Sequence, residues 1–140
     1  MSAHAVLYVE DEEFDALFMR KAFAKAGLEE CLTVVADGRD AIVYLAGQGE
    51  HADRAKYPLP AMVLLDLKLP IVSGFEVLEW IRKQPAFQTL PVVIFSSSSR
   101  DADKRKAEEL GANEYVEKPA SAMEFRAVVE RLKLRWLAGP

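Results

Sequence analysis

The chain has 140 residues, 51% of them hydrophobic and 29% charged, proportions that suit one globular domain with a sizeable core. A formal net charge of −4 and a pI near 5.3 disfavour direct nucleic-acid binding, which needs a basic patch against phosphates. No stretch has membrane-spanning length, the N-terminus MSAHAVLYVED lacks a basic-then-apolar leader, and the lone Cys31 permits no internal disulfide, so a cytoplasmic protein is expected.

Five short apolar runs set the frame. The first, AVLYV at 5 to 9, ends in four consecutive carboxylates, Glu10 to Glu13. After it Phe18, Met19, Ala22, Phe23 and Ala26 recur at helical spacing, and Gly27 closes that helix. LTVVA at 32 to 36 is the second strand, Cys31 beside it is a small hydrophobe, and Asp37-Gly38 opens a second helix. The segment 47 to 60, GQGEHADRAKYPLP, reads as a surface loop. AMVLLD at 61 to 66 is the third strand, and Phe75, Leu78 and Ile81 mark the third helix. PVVIF at 91 to 95 is the fourth, followed by a short helix from about 100 to 110 that Ser99 could cap and Gly111 ends. NEYVE at 113 to 117 is the weaker fifth, and Ser121 caps a last helix striped by Phe125, Val128, Val129, Leu132 and Trp136.

Four of the runs are nearly continuous in apolar residues, as strands covered on both faces are. Strict alternation of strand and helix implies right-handed crossovers and a parallel sheet. The expectation is an α/β, doubly wound (βα)5 domain over 1–140, with no linker to a second domain.

In such a sheet whatever follows each strand lands on one edge. Glu10 and Asp11 follow the first strand, Asp66 ends the third, Ser96 follows the fourth, and Lys118-Pro119 follows the fifth. If the strands take the order 2-1-3-4-5 known for doubly wound domains, an order borrowed and not read from this chain, the first and third are neighbours at the topological switch point and Glu10 and Asp11 would face Asp66. Three carboxylates around one pocket make a hard-oxygen site suited to Mg²⁺. A cation there would offset the charge of an incoming phosphoryl group, letting a carboxylate attack phosphorus while Lys118 and Ser96 hold its oxygens. Glu12 and Glu13 fall in the first helical turn, where the macrodipole favours anions.

These residues resemble the response-regulator receiver domain of two-component signalling. The likeness covers nearly the whole chain: Glu10-Asp11, VLLDLKLPIVSG around Asp66, Ser96, Tyr115 and Lys118-Pro119. It implies a flavodoxin-like fold in which Asp66 is the phosphoacceptor, the donor being a histidine of a sensor kinase or phosphotransfer protein. It further implies that Asp11, Glu10, Asp66 and the backbone carbonyl of Lys68 hold Mg²⁺, that Lys118 contacts the phosphoryl group, and that Pro119 follows a cis bond. Ser96 and Tyr115 would be the switch pair, reshaping the face of the fourth helix, fifth strand and fifth helix for protein interaction. Ser73 stands before Gly74 where the family usually has Asp or Asn, a turn position; Lys68 and Ser98 occupy positions that tune loss of the phosphoryl group. The VED pair, the 47 to 60 loop, LLDLKLP and ELGANEYVEKP look most like stand-alone receivers that partner phytochrome-type kinases. The resemblance thus implies a signalling phosphoacceptor without an output domain rather than a conventional enzyme.

Other readings are weaker. A phosphoaspartate hydrolase of the haloacid dehalogenase type would carry an Asp two residues after the nucleophile, where this chain has Lys68. A flavin or dinucleotide domain would lead from its first strand into a glycine- or hydroxyl-rich cradle rather than into EDEE. A degenerate receiver serving only as a binding module is opposed by the intact constellation. His4 and His51 lie outside any helix of a phosphotransfer type and have no second ligand at helical spacing. At 100° per residue, Leu17 and Leu134 fall opposite the core faces of their helices. Phe14 and Leu17 are therefore candidate contacts for the phosphodonor, and Leu134, Trp136 and Leu137 for a homodimer through the C-terminal helix or the face of the fourth helix, fifth strand and fifth helix.

Overall fold

The computed structural model describes residues 5–137. His4 lies outside them. Five strands, β1 Val6–Val9, β2 Leu32–Val35, β3 Met62–Leu65, β4 Val92–Ser96 and β5 Glu114–Glu117, form one all-parallel sheet in the order β2-β1-β3-β4-β5. The helices are α1 Glu13–Lys25, α2 Gly38–Ala46, α3 Gly74–Lys83, α4 Asp101–Glu109 and α5 Ala122–Leu132. The doubly wound α/β architecture expected from the alternation is the one observed.

Alternation within each strand divides the core into two layers, because successive side chains of a strand point to opposite faces. Val6, Tyr8, Met62, Leu64, Val93 and Phe95 pack on one face against Met19 and Phe23 of α1 and Phe125, Val129 and Leu132 of α5. Leu7, Val9, Val63, Leu65 and Ile94 pack on the other against Ala41 and Leu45 of α2, Val77, Leu78 and Ile81 of α3, and Ala107 of α4. Strands buried on both sides explain the continuous apolar runs.

The caps match their chemistry. Asp37 and Ser121 accept from the backbone N–H of Asp40 and Glu124, and Ser73 with Glu76 forms a reciprocal capping box at the start of α3. Ser99 is not the cap of α4. Ser98 plays the local role instead: its Oγ accepts from the Arg100 N–H at 3.3 Å and donates to Asp103 Oδ2 at 2.6 Å. The 47 to 60 segment contains a 3₁₀ turn, Gly49–Ala52, and is pinned by Arg54, whose guanidinium donates to the carbonyls of Tyr44, Leu45 and Tyr57. His51 sits in that turn against the rings of Tyr44 and Tyr57.

The C-terminal helix departs from the expected spacing. Beyond Leu132 it winds as a π-helix over Lys133–Leu137. The i→i+5 repeat brings Leu137 onto the face of Leu132, and Leu137 is buried in the core. Leu137 is thus a core residue, not part of a surface for a second copy. Trp136 is half-buried and donates its indole N–H to Glu114 Oε1 at 3.1 Å, while Leu134 is 74% exposed. Leu137→Ala should therefore lower unfolding free energy by about 2–4 kcal/mol in urea denaturation, against less than about 0.5 kcal/mol for Leu134→Ala. Equal effects would contradict the π-helical register.

Candidate functional site

The site lies at the carboxyl ends of β1 and β3, adjacent strands in register from Val6 with Met62 to Val9 with Leu65. Glu10 and Asp66 each extend their strand by one hydrogen bond, Glu10 N–H to Val35 O at 2.9 Å and Asp66 N–H to Val9 O at 3.2 Å. Backbone pairing therefore fixes both carboxylates before their side chains make any contact. The loop after Asp66 turns back so tightly that Gly74 N–H donates to Leu67 O at 2.9 Å, and a Cβ on Gly74 would overlap the Asp66 carbonyl. Only glycine fits there, which sets the start of α3 directly behind Asp66. Exposed Ile71, at φ 70°, takes the left-handed conformation that turns this loop, one that a β-branched residue rarely adopts.

Glu10, Asp11 and Asp66 each place a carboxylate oxygen within 4.8 Å of the others, as expected from the strand order. Asp11 is exposed at the rim, whereas Glu10 and Asp66 are buried. Burial of Glu10, and next the negative charge of Asp66, push its carboxyl up to about 7, although Lys118 and Tyr8 pull the other way. Tyr8 O–H donates to Glu10 Oε1 at 2.8 Å, and the Glu12 N–H donates to its Oε2 at 3.2 Å. Burial and the Glu10 charge raise the Tyr8 hydroxyl far above its ordinary range, so it is a fixed donor.

Lys118 closes the pocket from the end of β5. Its Nζ donates to Asp66 Oδ2 at 3.0 Å and to Asp15 Oδ2 at 2.8 Å, and lies 2.9 Å from Glu10 Oε1. Burial alone would lower the ammonium's pKa, but its contacts with Asp15, Glu10 and Asp66 outweigh burial and raise it, so Lys118 is a cation at any physiological pH. The other oxygen of Asp66, Oδ1, accepts from the Lys68 N–H at 3.4 Å, and the Lys68 side chain points to solvent.

The remaining sequence candidates fall around this centre. Ser96 is buried, and its Oγ accepts from the Ser98 N–H at 3.2 Å. Tyr115 is half-buried, and its hydroxyl donates to Ser98 O at 2.8 Å. Ser98 therefore touches Ser96, Tyr115 and, through Asp103, the first turn of α4; the sequence marked it only through the family position that tunes loss of the phosphoryl group, not as a junction. The Lys118–Pro119 bond is trans, and no cis peptide occurs among the described residues. That corrects the expected cis bond; trans is the isomer the tertiary amide itself favours, by about 0.5–1 kcal/mol. Phe14 and Leu17 are exposed on α1, at 67% and 43%. Asp15, between them, escaped the sequence reading; its place in the first turn of the helix that follows the acidic pair was the available signal.

A doubly wound sheet with an acidic trio at its switch point and a lysine reaching in from the last strand is arranged like the phosphoacceptor site of a receiver domain. Residues 6–130 match the response regulator receiver domain, and the chain belongs to that family, whose members are signalling response regulators. It is 37% identical over 132 residues to the probable methanogenesis regulatory protein FilR2 of Methanothrix harundinacea, covering 94% of this chain and 83% of FilR2. The phosphorylated cyanobacterial phytochrome response regulator RcpA superposes with a TM-score of 0.87 at 31% identity, covering 96% of this chain and 95% of RcpA. Response regulator Rcp1 of Synechocystis is 30% identical over 94% of this chain and 88% of its own. Its Mn²⁺-bound form superposes with a TM-score of 0.85, covering 98% of this chain and 96% of that one.

The raised Glu10 carboxyl sets a pH dependence. A carboxyl that binds its proton more tightly when folded loses stability as pH rises from its unfolded value, near 4.5, through about 7. In chelator-treated protein, unfolding free energy should fall across that window in wild type and stay flatter in Glu10→Gln. A profile unchanged by the substitution would contradict this electrostatic picture.

Proposed function

We propose that Asp66 accepts a phosphoryl group from a phosphohistidine of a sensor kinase or phosphotransfer protein. The observation that carries this reading is the hydrogen bond from Lys118 to Asp66 Oδ2 at 3.0 Å, at the mouth of the acidic trio. An Asp66 oxygen attacks phosphorus; the phosphorus–nitrogen bond breaks, and its electron pair leaves on the imidazole nitrogen. Lys118 then turns its donor from the phosphorylated carboxyl group to a phosphoryl oxygen.

The buried, mutually repelling carboxylates of Glu10 and Asp66, with Asp11 at the rim, fit a hard divalent cation such as Mg²⁺, and the Lys68 carbonyl is a further candidate ligand. When bound, the cation supplies positive charge against the phosphoryl oxygens. Ser96 and Tyr115 form the switch: the Ser96 hydroxyl leaves the Ser98 N–H for the phosphoryl group, the Tyr115 hydroxyl leaves Ser98 O, and the face of α4, β5 and α5 changes shape. Phe14 and Leu17 meet the donor. The likeness to phytochrome response regulators supports a phytochrome-type kinase in that role.

Intact mass after incubation with acetyl phosphate tests the chemistry. Wild type should gain one phosphoryl group only with Mg²⁺, and Asp66→Asn should gain none; no gain in Mg²⁺-saturated wild type would contradict the assignment. Leu17→Ala should react normally with acetyl phosphate yet accept phosphoryl more slowly from a phosphorylated kinase.

A further inference from the structure

We propose that Asp15 is a positioning residue that competes with the phosphoryl group for Lys118 and so weakens the pocket's hold on it. The inference rests on the phosphoacceptor reading of Asp66 and adds a residue to it. An ammonium has three donors, and here three carboxylate oxygens lie within 3.0 Å of Nζ. Two of these partners have duties elsewhere. Glu10 is buried and clamped by Tyr8 and Glu12, and Asp66 is the group that reacts. Asp15 has no other side-chain hydrogen bond among the described residues, and its side chain is partly open to solvent, so its Oδ2 on Lys118 is the carboxylate's one directed contact.

Phosphorylation of Asp66 frees one donor of Lys118 but not the rest of its charge, which stays shared with Asp15 and Glu10. The phosphoryl group brings more negative charge than the carboxylate it replaces, so each neighbouring carboxylate opposes its retention. Glu10 faces the cation site as well as Lys118. Asp15 lies outside that trio and acts on the phosphoryl group through Lys118 alone. Because it sits in the first turn of α1 between exposed Phe14 and Leu17, anything that docks on α1 and draws Asp15 away would leave Glu10 as the one carboxylate sharing Lys118 and release more of the ammonium charge to the phosphoryl group.

The test is the affinity of the Mg²⁺-saturated protein for beryllofluoride, an anionic phosphoryl mimic, followed by fluorine NMR in wild type, Asp15→Asn and Asp15→Ala. Both variants remove the charge and should bind roughly fivefold or more tightly. A residue that merely aligns Lys118 would give the opposite pattern, with Asn nearly neutral and Ala weakened; that pattern, or no change in either, overturns the inference. Failure of wild type itself to bind would instead overturn the phosphoacceptor reading on which this rests.

Discussion

One ammonium group held among buried and half-buried carboxylates governs this molecule. Glu10, Asp15 and Asp66 converge on Lys118 from three separate elements, β1, α1 and β3, while the lysine arrives from a fourth, β5. Removing charges from water is costly unless they are paired, so these contacts hold the end of β5 to the centre of the sheet. They do not satisfy the cluster completely. With Asp11 beside them, four carboxylates crowd around one cation, and the Glu10 carboxyl is raised first by burial and then by the negative charge of Asp66. The site is electrostatically incomplete by itself, which suits it to a cation and a charge-carrying reaction.

The sheet makes that arrangement achievable with short side chains. Parallel pairing of β1 with β3 sets Glu10 and Asp66 side by side through backbone hydrogen bonds, and the missing Cβ of Gly74 lets α3 begin against the Asp66 carbonyl. The same edge carries Ser96 at the end of β4, in register with Glu117 on β5, one residue before Lys118. Ser98 then links that edge outward, touching Ser96 through its N–H, Tyr115 through its carbonyl and Asp103 of α4 through its hydroxyl. A change in charge at Asp66 has a short covalent and hydrogen-bonded route to the α4–β5 surface.

The fold was legible in the sequence because short apolar runs and helical stripes repeat in strict alternation, and burial on both faces of the sheet is what those runs encode. Glu10, Asp11, Asp66 and Lys118 were legible for the same reason: the end of each parallel strand lands on one edge. Asp15 was not, because it lies on α1 and not at a strand end, and its reach to Lys118 depends on a pair separated by 103 positions. Leu137 was misplaced because a 3.6-residue period was extended through a segment that winds as a π-helix. Ser98 stood out only by its family position; its place as a junction was not legible, because a run of four serines gives no pattern that tells their contacts apart.

The central claim is that, of the four carboxylates at this edge, Asp66 alone is the nucleophile. Borohydride reduction of the phosphorylated protein, which converts an acyl phosphate of aspartate to homoserine, followed by peptide sequencing by mass spectrometry, tests it directly. The account predicts homoserine at position 66 and unmodified Glu10, Asp11 and Asp15. Homoserine at another aspartate, or a phosphoryl group that survives borohydride on a hydroxyl or imidazole, would contradict it.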